Sequence, residues 1–168
     1  MADRGLQARI ERFVDRVGRA VSWLALVIVA LMSVNVVLRY LFSIGSVWAQ
    51  ELEWHLLVPL ILFGCSYALR HGEHVRVDIV YGRFPPRAKV AVDLVSSLLV
   101  VAISALFIWF SLHYVQQAYV IDEGSPDPGG LPHRYLLKAL LPIGFALLLA
   151  QGVAGALGSL HRLRRGLP

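Results

Sequence analysis

The chain has 168 residues, of which 57% are hydrophobic and 16% charged, with a mean hydropathy of +0.64. A soluble domain carries about 45–50% apolar residues, so this composition excludes one and indicates an integral membrane protein. The net charge of +5 does not indicate nucleic acid, because the arginines sit where hydrophobic stretches end rather than along one stripe.

Residues 1–20 place Leu6, Ile10, Phe13, Val14 and Val17 at helical spacing, with Arg4, Arg9, Arg12, Arg16 and Arg19 mostly on the other side. The pattern predicts an amphipathic helix lying on an anionic leaflet, although a solvated cytoplasmic extension of the first span has the same signature. It does not read as a secretory signal, since acidic residues are interspersed and no apolar core precedes Arg19. The first predicted span covers 21–42. Its stretch 21–38 is free of charge, long enough to cross about 30 Å of hydrocarbon at about 1.5 Å per residue. Asn35 and Arg39 lie four apart and share a face near the far end. An arginine at the bilayer centre costs about 2.5–3.5 kcal/mol, so Arg39 belongs at the interface. With Tyr40 and Trp48 it fits either an interfacial belt or a contact with a partner.

A short turn carrying Trp48, Glu51 and Glu53 leads into the second span, 50–70, which contains His55 and Pro59. The proline removes a backbone hydrogen bond and crowds the carbonyl of His55, which predicts a bend. Gly64, Cys65 and Ser66 form a small-residue patch that lets another helix approach closely. Cys65 is the single cysteine, so the chain has no internal disulfide. Residues 71–89 form a basic connection with His71, His74, Arg76, Arg83, Arg87 and Lys89, within which Glu73 and Asp78 read as local ion-pair partners. Pro85-Pro86 ends any continuous helix there and starts the next.

The third span, 90–115, carries Asp93 near its start and His113-Tyr114 near its end. A loop over 116–135 follows, acidic at Asp122, Glu123 and Asp127 and broken by Pro126, Pro128, Gly129, Gly130 and Pro132. That composition predicts an exposed, shaped loop. The fourth span, 136–160, contains Pro142 and pairs Gly152 with Ala156 and Gly155 with Ser159, a spacing that brings helix backbones together in lipid. The tail, 161–168, is basic.

The predicted fold is a single all-α membrane domain of four transmembrane helices with an N-terminal amphipathic helix. Five Lys and Arg residues precede the first span, five lie from Arg70 to Lys89 and three in the tail, against one in the first connection and two where the fourth span begins. This asymmetry predicts both termini and the basic connection in the cytoplasm, with the two acidic connections outside.

No nucleotide loop, zinc motif or nucleophile elbow is present in the sequence, and the span centres lack charge. A self-sufficient transporter needs polar sites near the midplane. The expectation is therefore a scaffold or accessory subunit, not an enzyme, with no cofactor or metal. A second reading is a four-helix b-type cytochrome or quinone-linked anchor, with His55 and His113 as haem ligands on one side and His71 or His74 facing His161 on the other. A small membrane-embedded enzyme is a third, with no pocket motif to support it.

The central stretch resembles the small membrane subunit (DctQ type) of tripartite ATP-independent periplasmic, or TRAP, transporters. The resemblance is carried by Asn35, Arg39-Tyr40-x-Phe42, Ser46-x-Trp48-x-x-Glu51, Gly64, Gly72-x-His74-Val75-Arg76-Val77-Asp78 and Leu141-Pro142-Ile143-Gly144-Phe145, over roughly 21–155. It implies a bacterial inner-membrane protein acting with a large membrane subunit and a periplasmic solute-binding protein, in a secondary transporter that imports organic acids on a Na⁺ or H⁺ gradient. On that reading Gly64, Ser66, Gly152 and Gly155 pack against the large subunit. Arg39, Trp48, Glu51, Glu53, Asp122 and Glu123 form a docking surface for the binding protein, unless the acidic groups are merely solvated loop charge. His74, Arg76 and Asp78 form a cytoplasmic motif without an assigned role.

Overall fold

The computed structural model describes residues 2–73 and 81–164, with side chains from Gly5 onward. Four long helices account for nearly all of it: α1 (Ala2–Phe42), α2 (Val47–His71), α3 (Pro86–Val120) and α4 (Arg134–Arg164). All four are long and apolar enough to cross a membrane. The expected motif His74, Arg76 and Asp78 lies outside the described residues.

The amphipathic segment and the first span are one unbroken helix of 41 residues, about 60 Å long at about 1.5 Å per residue and so twice the hydrocarbon thickness. Within its first half, Val14 and Gly18 are buried against the chain while Leu6 and Phe13 stay exposed. At Gly18 α1 and α2 approach closely, since a Cβ there would enter the Tyr67 ring. Only four residues separate α1 from α2. The expected turn bearing Trp48, Glu51 and Glu53 is instead the opening of α2, because Ser46 caps the helix by accepting a hydrogen bond from the Ala49 amide at 3.3 Å. At the other end Gly72, at φ 74°, closes α2 in the left-handed region. The Gly72 and Glu73 amides then return to the Leu69 and Ala68 carbonyls, at 3.3 and 3.0 Å. Pro86 occupies the first turn of α3 behind Pro85, as the paired prolines predict.

Helix α4 is the common wall. It packs against α1, α2 and α3, and its contact with α3 is the most extensive in the molecule. The α3 face of that contact holds Val90, Ser104, Ser111 and Ala118, all buried, with half-buried Ser97 in the same register. These positions repeat every seven residues, the period that keeps one face of a helix on a neighbour crossing at a shallow angle. Gly152 completes the fit: a Cβ there would lie 3.0 Å from Val100 and 3.3 Å from the Ser97 carbonyl oxygen. Farther along, the Phe107 and Phe145 rings stack at 4.7 Å. Gly144 is the matching approach of α4 to α2, with a hypothetical Cβ 2.7 Å from the Leu62 Cβ. Small side chains thus hold the helices by close packing, the available force where lipid supplies no hydrophobic contrast.

Candidate functional site: the loop end and its buried carboxylate

The two ends of the helix cluster differ in chemistry. At one end the first turns of α2 meet the 121–133 loop between α3 and α4; the other end gathers the N-terminal half of α1, the end of α2, the start of α3 and the end of α4.

Glu51 organises the loop end. Its side chain sits in the second turn of α2 and is only 2% exposed. Three partners from far along the chain close on its carboxylate. Ser125 Oγ donates to Oε1, the Leu131 amide donates to Oε2 at 2.5 Å, and Arg134 Nη2 reaches Oε1 at 3.3 Å. The Arg134 guanidinium lies 5.5 Å from the Trp54 ring centroid, one turn along α2. The loop is also tied to itself, by the Ser125 amide to the Leu131 carbonyl at 3.1 Å and the Arg134 amide to the Glu123 carbonyl at 2.7 Å. Gly130 makes the close approach possible, because a Cβ there would run into Ser125 and come within 2.8 Å of Glu51 Oε2.

The other expected docking residues are arranged around this knot. Glu123 binds Lys138, whose ammonium stands 3.8 Å from the Tyr114 ring centroid. Asp122 is exposed and pairs with His133 Nδ1 at 3.0 Å. Glu53 accepts from Asn35 Nδ2 at 3.2 Å, which fastens α1 to α2. Arg39 and Trp48 are exposed, the guanidinium of Arg39 lying 5.4 Å from the Tyr40 ring centroid. Among the described residues, Arg39 and Asp127 make no ion pair. The structure therefore corrects one expectation: Glu51 is no surface charge, since its carboxylate is enclosed by its own loop.

The expected packing residues divide in the same way. Gly152 and Gly155 face α3, with a Cβ at Gly155 falling 2.8 Å from Ser97 Oγ, so both make close contacts within this chain. Ser66 is fully buried. Gly64 has open space beside it and Cys65 is exposed, so that side of α2 is uncovered among the described residues. Ser97, Ser104 and Ser111 look polar in a one-dimensional pattern, and only their seven-residue spacing marks a contact face on α3.

At the opposite end, Arg70 bridges Asp15 and the Glu11 carbonyl, and His71 Nε2 meets Asp15 at 3.1 Å, tying α1 to α2. Asp93 accepts from the Tyr81 hydroxyl at 3.0 Å and pairs with Arg162 at 3.4 Å, tying α3 to α4. The imidazoles of the haem reading stay local. His55 Nδ1 is 2.6 Å from the Glu51 carbonyl, and His113 Nδ1 is 3.2 Å from that of Trp109. Their helices, α2 and α3, do not form a packed pair, and no cluster of three or more metal-ligating side chains occurs among the described residues.

Four apolar helices, close-packed through small residues, define a multi-pass membrane protein. Residues 28–162 match the family described as tripartite ATP-independent periplasmic transporters, DctQ component, and the chain belongs to that family. It is a TRAP transporter small permease subunit and not an enzyme. It is 26% identical over 145 residues to the ectoine TRAP transporter small permease protein TeaB of Halomonas elongata, covering 85% of this chain and 74% of that one. It is 28% identical over 134 residues to the C4-dicarboxylate TRAP transporter small permease protein DctQ of Vibrio cholerae, covering 68% of this chain and 58% of that one. The isethionate TRAP transporter permease protein DctMQ of Oleidesulfovibrio alaskensis is 25% identical over 114 residues, which are 66% of this chain and 18% of that protein.

Proposed function

We propose that this subunit is a rigid extension of a TRAP transporter's immobile framework. It acts with a large membrane subunit that moves an organic acid on a Na⁺ or H⁺ gradient and with a periplasmic binding protein that delivers it. The observation that carries this reading is the family match over 28–162 in a chain whose span centres hold no charged group. The isethionate permease, in which the matching part is 18% of the whole, supports a large partner, since there the small unit is contained in a far longer polypeptide. Relatives named for ectoine, C4-dicarboxylate and isethionate share the same small unit, which supports solute choice lying elsewhere.

On this reading the protein resides in the bacterial inner membrane with both termini and the basic connection in the cytoplasm, which the Lys and Arg asymmetry supports. The loop end then faces the periplasm. Arg39, Trp48, Glu53, Asp122 and Glu123 border a surface where charge complementarity would speed and orient the arrival of the binding protein. The free side of α2 beside Gly64 and Cys65 is available for the large subunit.

The test is reconstitution of the three components in vesicles with Glu53→Lys and Asp122→Lys introduced together. The expected result is normal assembly with the large subunit and uptake that needs roughly tenfold more binding protein for half-maximal rate. Unchanged uptake at every binding-protein concentration would remove these residues from the docking surface.

A further inference from the structure

We infer that Glu51 is a positioning residue: it holds the 121–133 loop in one preset shape before any partner arrives, and so sets how tightly the binding protein seats on that loop. The functional half of this inference rests on the docking reading above; the structural half stands without it.

The loop is 13 residues long, between Val120 and Arg134, and a segment of that length rich in Gly and Pro samples many conformations unless something fixes it. Among the described residues, the hydrogen bonds that fasten it to α2 all converge on Glu51. Residues 74 and 80 positions away, Ser125 and Leu131, both donate to this single carboxylate. Arg134, at the root of α4, supplies the balancing charge. The Ser125–Leu131 backbone bond closes the loop above the carboxylate, so the crest at Pro126, Asp127, Pro128 and Gly129 is carried on a ring seated on Glu51. Those crest residues are exposed, and Asp127 uses its backbone inward, donating from its amide to Ser125 Oγ and accepting from the Gly130 amide at 3.0 Å. A neutral residue cannot replace the carboxylate. Every partner that meets it is a donor, and a glutamine amide turned to accept from Leu131 would direct its own N–H group at the Arg134 guanidinium.

Gly130 offers an independent handle. A Cβ there strikes Ser125 and approaches Glu51 Oε2 at 2.8 Å, so Gly130→Ala lifts the loop from its anchor without changing any charge.

The experiment is amide hydrogen exchange on the assembled transporter in nanodiscs, for the native chain, Glu51→Gln, Glu51→Ala and Gly130→Ala, followed by uptake titrated with binding protein. In the native complex the Ser125, Leu131 and Arg134 amides are protected. In Glu51→Ala and Gly130→Ala the exchange of 121–134 rises by about tenfold or more and by more than that of the interiors of α3 and α4, and Glu51→Gln falls between. The binding-protein concentration for half-maximal uptake rises in the same order with the saturating rate retained, whereas a merely structural lesion lowers the saturating rate along with the amount of complex. Should Glu51→Ala fail to assemble, Gly130→Ala carries both readouts. Native exchange in the loop of both Glu51→Ala and Gly130→Ala overturns the inference. A loosened loop with an unmoved half-saturation leaves Glu51 as the anchor and refutes the docking reading instead.

Discussion

Both ends of the molecule are held by charged groups, yet they are built differently. At the loop end a carboxylate 2% exposed is enclosed by donors from three distant positions. At the opposite end the pairs are partly hydrated, Arg70 and Asp15 being 21% and 23% exposed and Arg162 and Asp93 48% and 20%. Exposed pairs are screened by water and salt and contribute little each, whereas a buried acceptor with several donors leaves all of them unmet when it is removed. The loop end is therefore a fixed shape. The other end is a set of individually replaceable ties between helix ends.

Breaking that contrast should give graded effects. Glu51→Ala is expected to be the most damaging single change, lowering the apparent melting temperature of the protein in nanodiscs by on the order of 10 °C. A loss no greater than that of Arg162→Ala would erase the distinction between the ends. Next comes a change at neither end: Gly144→Leu places a side chain where Leu62 already stands and should cost about 1–3 kcal/mol, read as a downward shift of about 5 °C in the same assay. If Gly144→Leu melts like the native protein, α2 and α4 are not in the close contact described. Smallest is Arg162→Ala, with a shift of about 2 °C or less that vanishes in high salt because the pair with Asp93 is exposed. A salt-insensitive loss would show that this end, too, depends on a sheltered charge.

These differences also mark where local sequence pattern is informative. The four spans, the restart at Pro85-Pro86 and the irregular acidic loop follow from hydropathy and backbone chemistry that act within a few residues. Several residues behind the family resemblance turn out to have structural tasks. Ser46 caps α2, Gly72 ends it, Asn35 binds Glu53 and Gly144 admits Leu62. What local pattern could not supply was partnership. Glu51 beside Trp48 reads as an exposed acidic turn because Ser125, Leu131 and Arg134 are 74 to 83 residues away. Gly152 and Gly155 advertise a close helix contact but not with which helix, and that helix proves to be α3 of the same chain. The serines spaced seven apart on α3 are opaque for a related reason: in lipid, small size matters more than polarity at a packed face.

On the proposed reading this subunit stiffens and presents but does not itself carry solute. The most direct test is to reconstitute the chain alone, and separately with its large membrane partner and binding protein, in vesicles with imposed Na⁺ and H⁺ gradients and labelled ectoine, C4-dicarboxylates and isethionate outside. The account predicts no accumulation by the chain alone under either gradient and gradient-driven accumulation only when all three components are present; accumulation of any of these solutes by the small subunit by itself would contradict it.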